Sequence, residues 1–293
     1  MEKQNNKLIK LMKPYESLNA GKDEETKKKT QDQCNMESNL EENQQDENIE
    51  TQKENNYGQV IDFDYQSLEP LLKDIDNNKE NIILLTTGSY NPIHKMHLEI
   101  LNIAYNYLLN EEKYNIICGF ISPSADCYVK YKQKPLIPFD LRCKMIDTAI
   151  NEYNNENKDS INLKIFMHKW EGSHDYFIDF PYVIEEIQDK INNYYIKYKI
   201  RVVYVCGMDL YLKCYYCLRR NVIAVDRKPY INNKFKSIPK SFIHLIVDEK
   251  SEPYSSTSIR EAYKNGNHDI ISKITFPGVA KMIISCYDKY YGK

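Results

Sequence analysis

The stretch Gly88-Ser89-Tyr90-Asn91-Pro92-Ile93-His94-Lys95-Met96-His97 decides how this chain is read. It follows an apolar run, Ile82-Ile83-Leu84-Leu85, whose composition predicts a buried strand. It runs into Leu98-Glu99-Ile100-Leu101-Asn102-Ile103-Ala104, which has helical spacing. A glycine turn and two histidines therefore sit where a parallel strand hands over to a helix. Open α/β sheets bind phosphates at that place, because backbone N–H groups point outward and the helix N-terminus favours negative charge. His94 and His97, three residues apart, add imidazole donors on one helix face. The pattern predicts a site for a polyphosphate on which charge builds up during reaction. The plainer reading of either histidine alone is a helix start.

Outward from this stretch, apolar runs alternate with helical patterns. Strands are expected over 82–86, 116–121, 163–167, 202–206, 222–225 and 242–247. Helices are expected over 97–109, 138–150, 183–191, 256–264 and 277–290, with an amphipathic lead-in helix over 60–73. Strands alternating with helices imply βαβ units, and the right-handed crossover rule then gives a doubly wound, Rossmann-like parallel sheet. One catalytic domain over 57–293 accounts for all of them. Residues 1–56 are Asn, Gln, Glu and Lys with single apolar residues between. They cannot bury enough apolar surface to offset ordering entropy, so a disordered polar tail is expected. Lys27-Lys28-Lys29 within it reads as a solvated charge run.

The 293 residues carry a formal net charge of −2, which gives no basic field for nucleic acid. No apolar run is long enough for a membrane span, and no signal-peptide core opens the chain. An intracellular protein, cytoplasmic or nuclear, is expected, with its eight cysteines mostly reduced. Cys118 and Cys206 read as core packing. Cys214 and Cys217 have a metal- or redox-like spacing, with His168 or His174 the distant partners zinc would need; ordinary burial in a helix is the simpler account.

The candidate functional residues fall just after strands, at 88–97, 122–132, 168–173, 207–209 and Asp226-Arg227. Ligands of such sheets lie outside the carboxyl ends of the strands, so these loops should converge on one edge. Lys130, Lys132 and Lys134 can hold phosphate as point charges. Trp170, the only tryptophan, followed by Glu171, can stack a flat heterocycle, and a cationic ring would gain a cation–π contribution. In Ser255-Ser256-Thr257-Ser258-Ile259-Arg260 the hydroxyls cap a helix start, and Arg260 one turn later makes a second anion site.

These residues resemble a known family. GSYNPIHKMHLEIL is similar to the signature of nicotinamide/nicotinate mononucleotide adenylyltransferases, of the HxGH-type nucleotidyltransferase superfamily. The resemblance continues in order through ISPSADCYVKYKQKPLIPFDLR, KWEGS, VYVCGMDL, IAVDR and YSSTSIREAYKNG, and covers 81–291. It implies the reaction of ATP with nicotinamide or nicotinate mononucleotide to give NAD or its deamido form plus pyrophosphate. The mononucleotide phosphate would attack the α-phosphorus in line, without a covalent enzyme intermediate, and Mg²⁺ would travel with ATP. His97, His94, Lys130 and Arg260 are implied as catalytic. Gly88, Ser89, Tyr90, Trp170, Glu171, Gly207, Asp209, Arg227, Ser255 and Ser256 are implied as substrate-binding, with no metal ligand among them. The expected partners are ATP and the mononucleotide, with homo-oligomer formation an open option, and neither nucleic acid nor membrane. Met96 stands where the HxGH form has glycine, Val129 interrupts the family's lysine run, and a second pyridine-flanking tryptophan is absent. Tyr211, Tyr215 and Tyr216 are its candidate substitutes. Three further readings compete: another transferase of the superfamily, a non-catalytic nucleotide-binding or chaperone-like relative, and, more distantly, a class I synthetase-like RNA ligase, against which the non-basic charge argues.

Overall fold

A computed structural model of the chain describes residues 10–11, 60–73, 75–132, 135–156, 163–214, 222–226, 242–246 and 254–291. All of them belong to one compact unit; a second unit, Pro14–Tyr57, lies outside the described residues, as does nearly all of the stretch 1–56.

The strands are β1 (Lys10–Leu11), β2 (Glu80–Gly88), β3 (Tyr114–Pro123), β4 (Ile165–Met167), β5 (Arg201–Gly207), β6 (Val222–Asp226) and β7 (Phe242–Ile246). They form one sheet in the order β1-β7-β6-β5-β2-β3-β4. From β2 onward every pairing is parallel, while the two-residue β1 runs antiparallel to β7. The chain leaves β2 toward β3 and β4, then returns past β2 to β5, β6 and β7. The point where the order reverses, between β2 and β5, is where a doubly wound sheet opens a crevice at its carboxyl edge.

The helices are α1 (Lys95–Asn110), α2 (Asp126–Lys132), α3 (Phe139–Glu156), α4 (Phe180–Tyr194), α5 (Met208–Cys214), α6 (Ser256–Lys264), α7 (His268–Ile274) and α8 (Pro277–Tyr291). Alternate residues of β2 serve opposite cores, as the two-residue period of a strand dictates. Ile82 and Leu84 pack with α1, α3 and α6 to α8 on one face; Ile83 and Leu85 pack with α4 and α5 on the other. Burial on both faces explains why β2 reads as an unbroken apolar run and not an alternating one. Among the described residues no helix is long and apolar enough to cross a membrane.

Two local expectations need correction. The lead-in over 60–73 is not an α-helix. It is a segment without regular structure, 60–64, followed by a 3-10 helix, Tyr65–Leu72, which begins at Asp64 accepting the Gln66 N–H and carries Pro70 inside it. Pro70 has no N–H to give to a carbonyl four residues back, which removes a bond an α-helix needs. The loop 122–132 contains a helix, α2, and α7 follows the turn at Gly266, whose φ of +66° is the left-handed conformation glycine tolerates.

Candidate active site

The first loop is built from its own side chains. Tyr90 adopts a positive φ of 44°, which folds its ring back beneath the turn. The ring is buried, and its hydroxyl donates to the Thr86 carbonyl at 3.2 Å. A Cβ at position 88 would sit 3.2 Å from Tyr90 Cζ, so glycine keeps the turn close to this ring. The Tyr90 ring meets His97 edge-on at 4.8 Å.

His94 is the residue preceding the first turn of α1, and the His94 and His97 rings stack at 3.6 Å. The His94 backbone N–H donates to His97 Nδ1 at 3.1 Å. That bond makes Nδ1 an acceptor, so a neutral His97 carries its proton on Nε2. His94 is 6% exposed, whereas His97 is half-buried.

Arg142 on α3 is the organising residue. It is wholly buried and donates to the carbonyls of Ile137 at 3.0 Å, Ser89 at 2.7 Å and Ser124 at 2.7 Å, and to Asp126 Oδ1 at 2.8 Å. One guanidinium thus fastens the first loop to the entry of α2, the helix that bears Lys130. Asn91 makes a second fastening: it donates to the Pro135 carbonyl at 3.0 Å and accepts the Ile137 N–H at 2.9 Å. A third comes from α6. Ser255 Oγ caps it by accepting the Ser258 N–H at 3.0 Å, Ser256 Oγ donates to the Pro92 carbonyl at 2.7 Å, and Arg260 donates to the Asn91 carbonyl at 2.8 Å. The first loop, α2 and the start of α6 are joined by direct bonds.

The third loop follows β4. Glu171 is 2% exposed and accepts the Ser122 hydroxyl at 2.6 Å. Burial pushes its carboxyl up to about 7, against the hydrogen bonds of Ser122 and Ser124 and the nearby Arg142, which pull it down. Glu171 therefore braces the ends of β3 and β4 from within. A Cβ on Gly172 would collide with the Phe139 ring and the Pro123 carbonyl, so only glycine fits beside it. Trp170 is half-buried, with His174 edge-on at 4.8 Å. Its carbonyl accepts from Ser173 Oγ at 2.9 Å and lies 2.7 Å from His174 Nδ1.

The remaining candidates sit as follows. Lys130 is exposed on α2; Lys132 donates to the Tyr128 hydroxyl at 3.1 Å; Lys134 lies outside the described residues. Gly207 ends β5, where a Cβ would come within 2.7 Å of Asp209 Oδ1, and Asp209 is exposed in the first turn of α5. Asp226 is buried at the end of β6, and Arg227 lies outside the described residues. His168 is buried and hydrogen-bonded to Tyr65, and burial pushes its imidazole down to about 4. Tyr211 is 3% exposed within the core; Tyr215, Tyr216 and Cys217 lie outside the described residues. Among the described residues no group of three or more His, Cys, Asp or Glu is placed to hold a metal ion. Arg142 went unread as a site residue. Its signal was an arginine beside Leu141, Met145 and Ile146 on the apolar face of its helix.

The cytidylyltransferase-like family model matches residues 85–262. The chain belongs to this family of nucleotidyltransferases. Over 74 residues it is 39% identical to nicotinamide/nicotinic acid mononucleotide adenylyltransferase 1 of Bos taurus, a stretch covering 25% of each chain. Over 88 residues it is 27% identical to the Saccharomyces cerevisiae protein of the same name, covering 30% of this chain and 21% of that one. The matched stretches thus span about a quarter of these relatives' length. Among solved structures it is similar to the Plasmodium falciparum nicotinic acid mononucleotide adenylyltransferase complexed with NaAD. That likeness has a TM-score of 0.53 and 18% identity over 73% of this chain and 98% of the other. The same enzyme complexed with APC gives 0.51 and 19% over 72% and 98%. At these identities the likeness is one of fold.

Proposed function

We propose that the protein transfers the adenylyl group of ATP to nicotinamide or nicotinate mononucleotide, releasing pyrophosphate and forming NAD or deamido-NAD. The observation that carries this reading is the bonded rim: Arg142, Asn91, Ser256 and Arg260 join the first loop, the lysine-bearing α2 and the start of α6. On that rim His97 Nε2–H, Lys130 and Arg260 supply proton donors and positive charge. The triphosphate lies along them, and charge that develops on the α-phosphate and the departing pyrophosphate meets donors already in place. The mononucleotide lies beside Trp170, its ring stacked on the indole and its phosphate oxygen in line with the α-phosphorus. No side chain acts as a nucleophile. Mg²⁺ accompanies the triphosphate and neutralises part of its charge. The rim's donors are nitrogens suited to phosphate oxygens, while Asp126 is paired with Arg142 and Glu171 with Ser122, so phosphates and water are its expected ligands.

The relatives' names and the shared fold support this choice of reaction within the family. The test is purified full-length protein with Mg-ATP and each mononucleotide in turn, following pyrophosphate and dinucleotide. Dinucleotide formation in step with pyrophosphate is expected. Binding of both ligands without pyrophosphate release would instead mark a non-catalytic nucleotide-binding relative.

A further inference from the structure

The two anchors of the Trp170 loop are both held by one segment that precedes β2. Two residues before Trp170, His168 is buried and shares a 2.9 Å hydrogen bond between its Nε2 and the Tyr65 hydroxyl. Phe63 stacks on the same imidazole at 5.5 Å and meets Phe120 and Phe166 edge-on. Three residues after Trp170, Ser173 Oγ accepts the Ile61 N–H at 3.1 Å and donates to the Trp170 carbonyl at 2.9 Å. Between these contacts, Asp62 pairs with Lys190 of α4 at 2.8 Å, and the Tyr195 hydroxyl donates to the Tyr65 carbonyl at 2.5 Å.

We propose that the segment 61–65 is a strap that positions Trp170, with Tyr65 and Ser173 as positioning residues of the mononucleotide subsite. The ligand's identity rests on the reading given above; the mechanical claim does not. Residue 170 is the middle of a short loop after a three-residue strand, and such a loop has little to fix it from its own backbone. The strap supplies that fixation from the far side of the sequence, more than a hundred residues away. Its bonds are of a kind that holds across physiological pH. Burial keeps the His168 ring neutral down to about 4 and pushes the Tyr65 phenol far upward, so neither partner charges and breaks the bond. The groups facing His168 from other elements are Asp62 on the strap and Lys190 on α4, already paired with each other.

The single tryptophan makes the strap directly measurable. Full-length wild type, Tyr65→Phe and Ser173→Ala are compared by Trp170 emission, by acrylamide quenching, and by titration with the mononucleotide and separately with ATP. Tyr65→Phe keeps the ring that stacks on Tyr194 at 5.1 Å and removes only the hydroxyl, and Ser173→Ala removes both the link to Ile61 and the bond to the Trp170 carbonyl. Each variant should show red-shifted emission and stronger quenching. Each should also raise the Kd and KM for the mononucleotide about five- to tenfold, the worth of one hydrogen bond, with the ATP values changed less than twofold. Equal weakening of both ligands, or unchanged emission and quenching in both variants, would overturn the proposal. If one variant fails to fold, the other decides. If wild type forms no dinucleotide, the adenylyltransferase reading fails, and the quenching comparison still decides the strap.

Discussion

The rim around the first loop and the Trp170 loop share one sheet edge and are held by opposite means. The rim is fastened by two guanidinium groups, Arg142 and Arg260, whose donors end on backbone carbonyls of the first loop. The Trp170 loop is fastened by neutral hydroxyl and imidazole groups and by aromatic packing from the strap. The difference follows from what each would bind. A triphosphate needs donors fixed before charge arrives, and a planar guanidinium, always charged and forked, can hold several carbonyls at once. A flat ring needs a steady apolar face, for which added charge is of little use.

The largest expected effect lies on the rim. Arg142→Met should cost about 3–5 kcal/mol in urea denaturation, because three carbonyls lose a wholly buried donor together, while the half-exposed Asp126 carboxylate is resolvated. Arg142→Lys, which keeps the charge and loses the fork, should fall between Met and wild type. If Met is tolerated at under 1 kcal/mol, the rim is not fastened by charge and the contrast with the Trp170 loop disappears. Next, His97→Ala should lower turnover about 10²- to 10³-fold under saturating substrates, the cost of removing one donor aimed at developing charge. Its stability loss should be near 1 kcal/mol, because the ring also accepts the His94 N–H at the start of α1. Near-normal turnover would remove His97 from the reaction.

How far this contrast can be read in sequence differs on its two sides. The first loop was legible because a strand, a glycine turn and a helix start follow one another within a single stretch, and local rules cover each step. The Ser255 cap and the Gly266 stop were legible for the same reason. Arg142 was not, because its partners lie at Ser124 and Ser89, and no local periodicity announces a bond to a carbonyl across a loop. The seven-residue helices α2 and α7 span about two turns, too few for a helical period to stand out. The lead-in over 60–73 reads as one helix because Tyr65, Leu68 and Leu72 satisfy a helical spacing that a 3-10 turn satisfies almost as well.

A third test lies where the two regions meet. Glu171 holds its proton up to about 7 in the folded protein, above its usual 4.5. Between those values the folded state binds more protons than the unfolded one, so stability falls as pH rises through the window. Measured against Glu171→Gln, wild type should lose roughly 3 kcal/mol between pH 4.5 and 7 and stay level above that. His168 acts with the opposite sign: its neutral form stabilises the fold above the ordinary imidazole value of 6.5, and that stability is lost as pH falls toward about 4. The variant, freed of the Glu171 contribution, should therefore show the steeper loss in acid. A parallel pH profile for both proteins in urea would mean that Glu171 is ionised in the fold.

The smallest expected effect is the one most specific to the second region. Trp170→Ala removes a half-buried ring whose backbone carbonyl keeps its bonds to Ser173 and His174, so the loop should stay in place. Calorimetric titration should show mononucleotide binding weakened by about 1–3 kcal/mol, the range for a base stacked on an aromatic side chain. ATP binding should hold, because the rim reaches the first loop through the bonds of Arg142 to Ser89 and of Arg260 to Asn91. Equal losses for the two ligands would mean that the indole supports the rim as well. The two regions would then be one, and the neutral strap would serve the triphosphate as much as the ring.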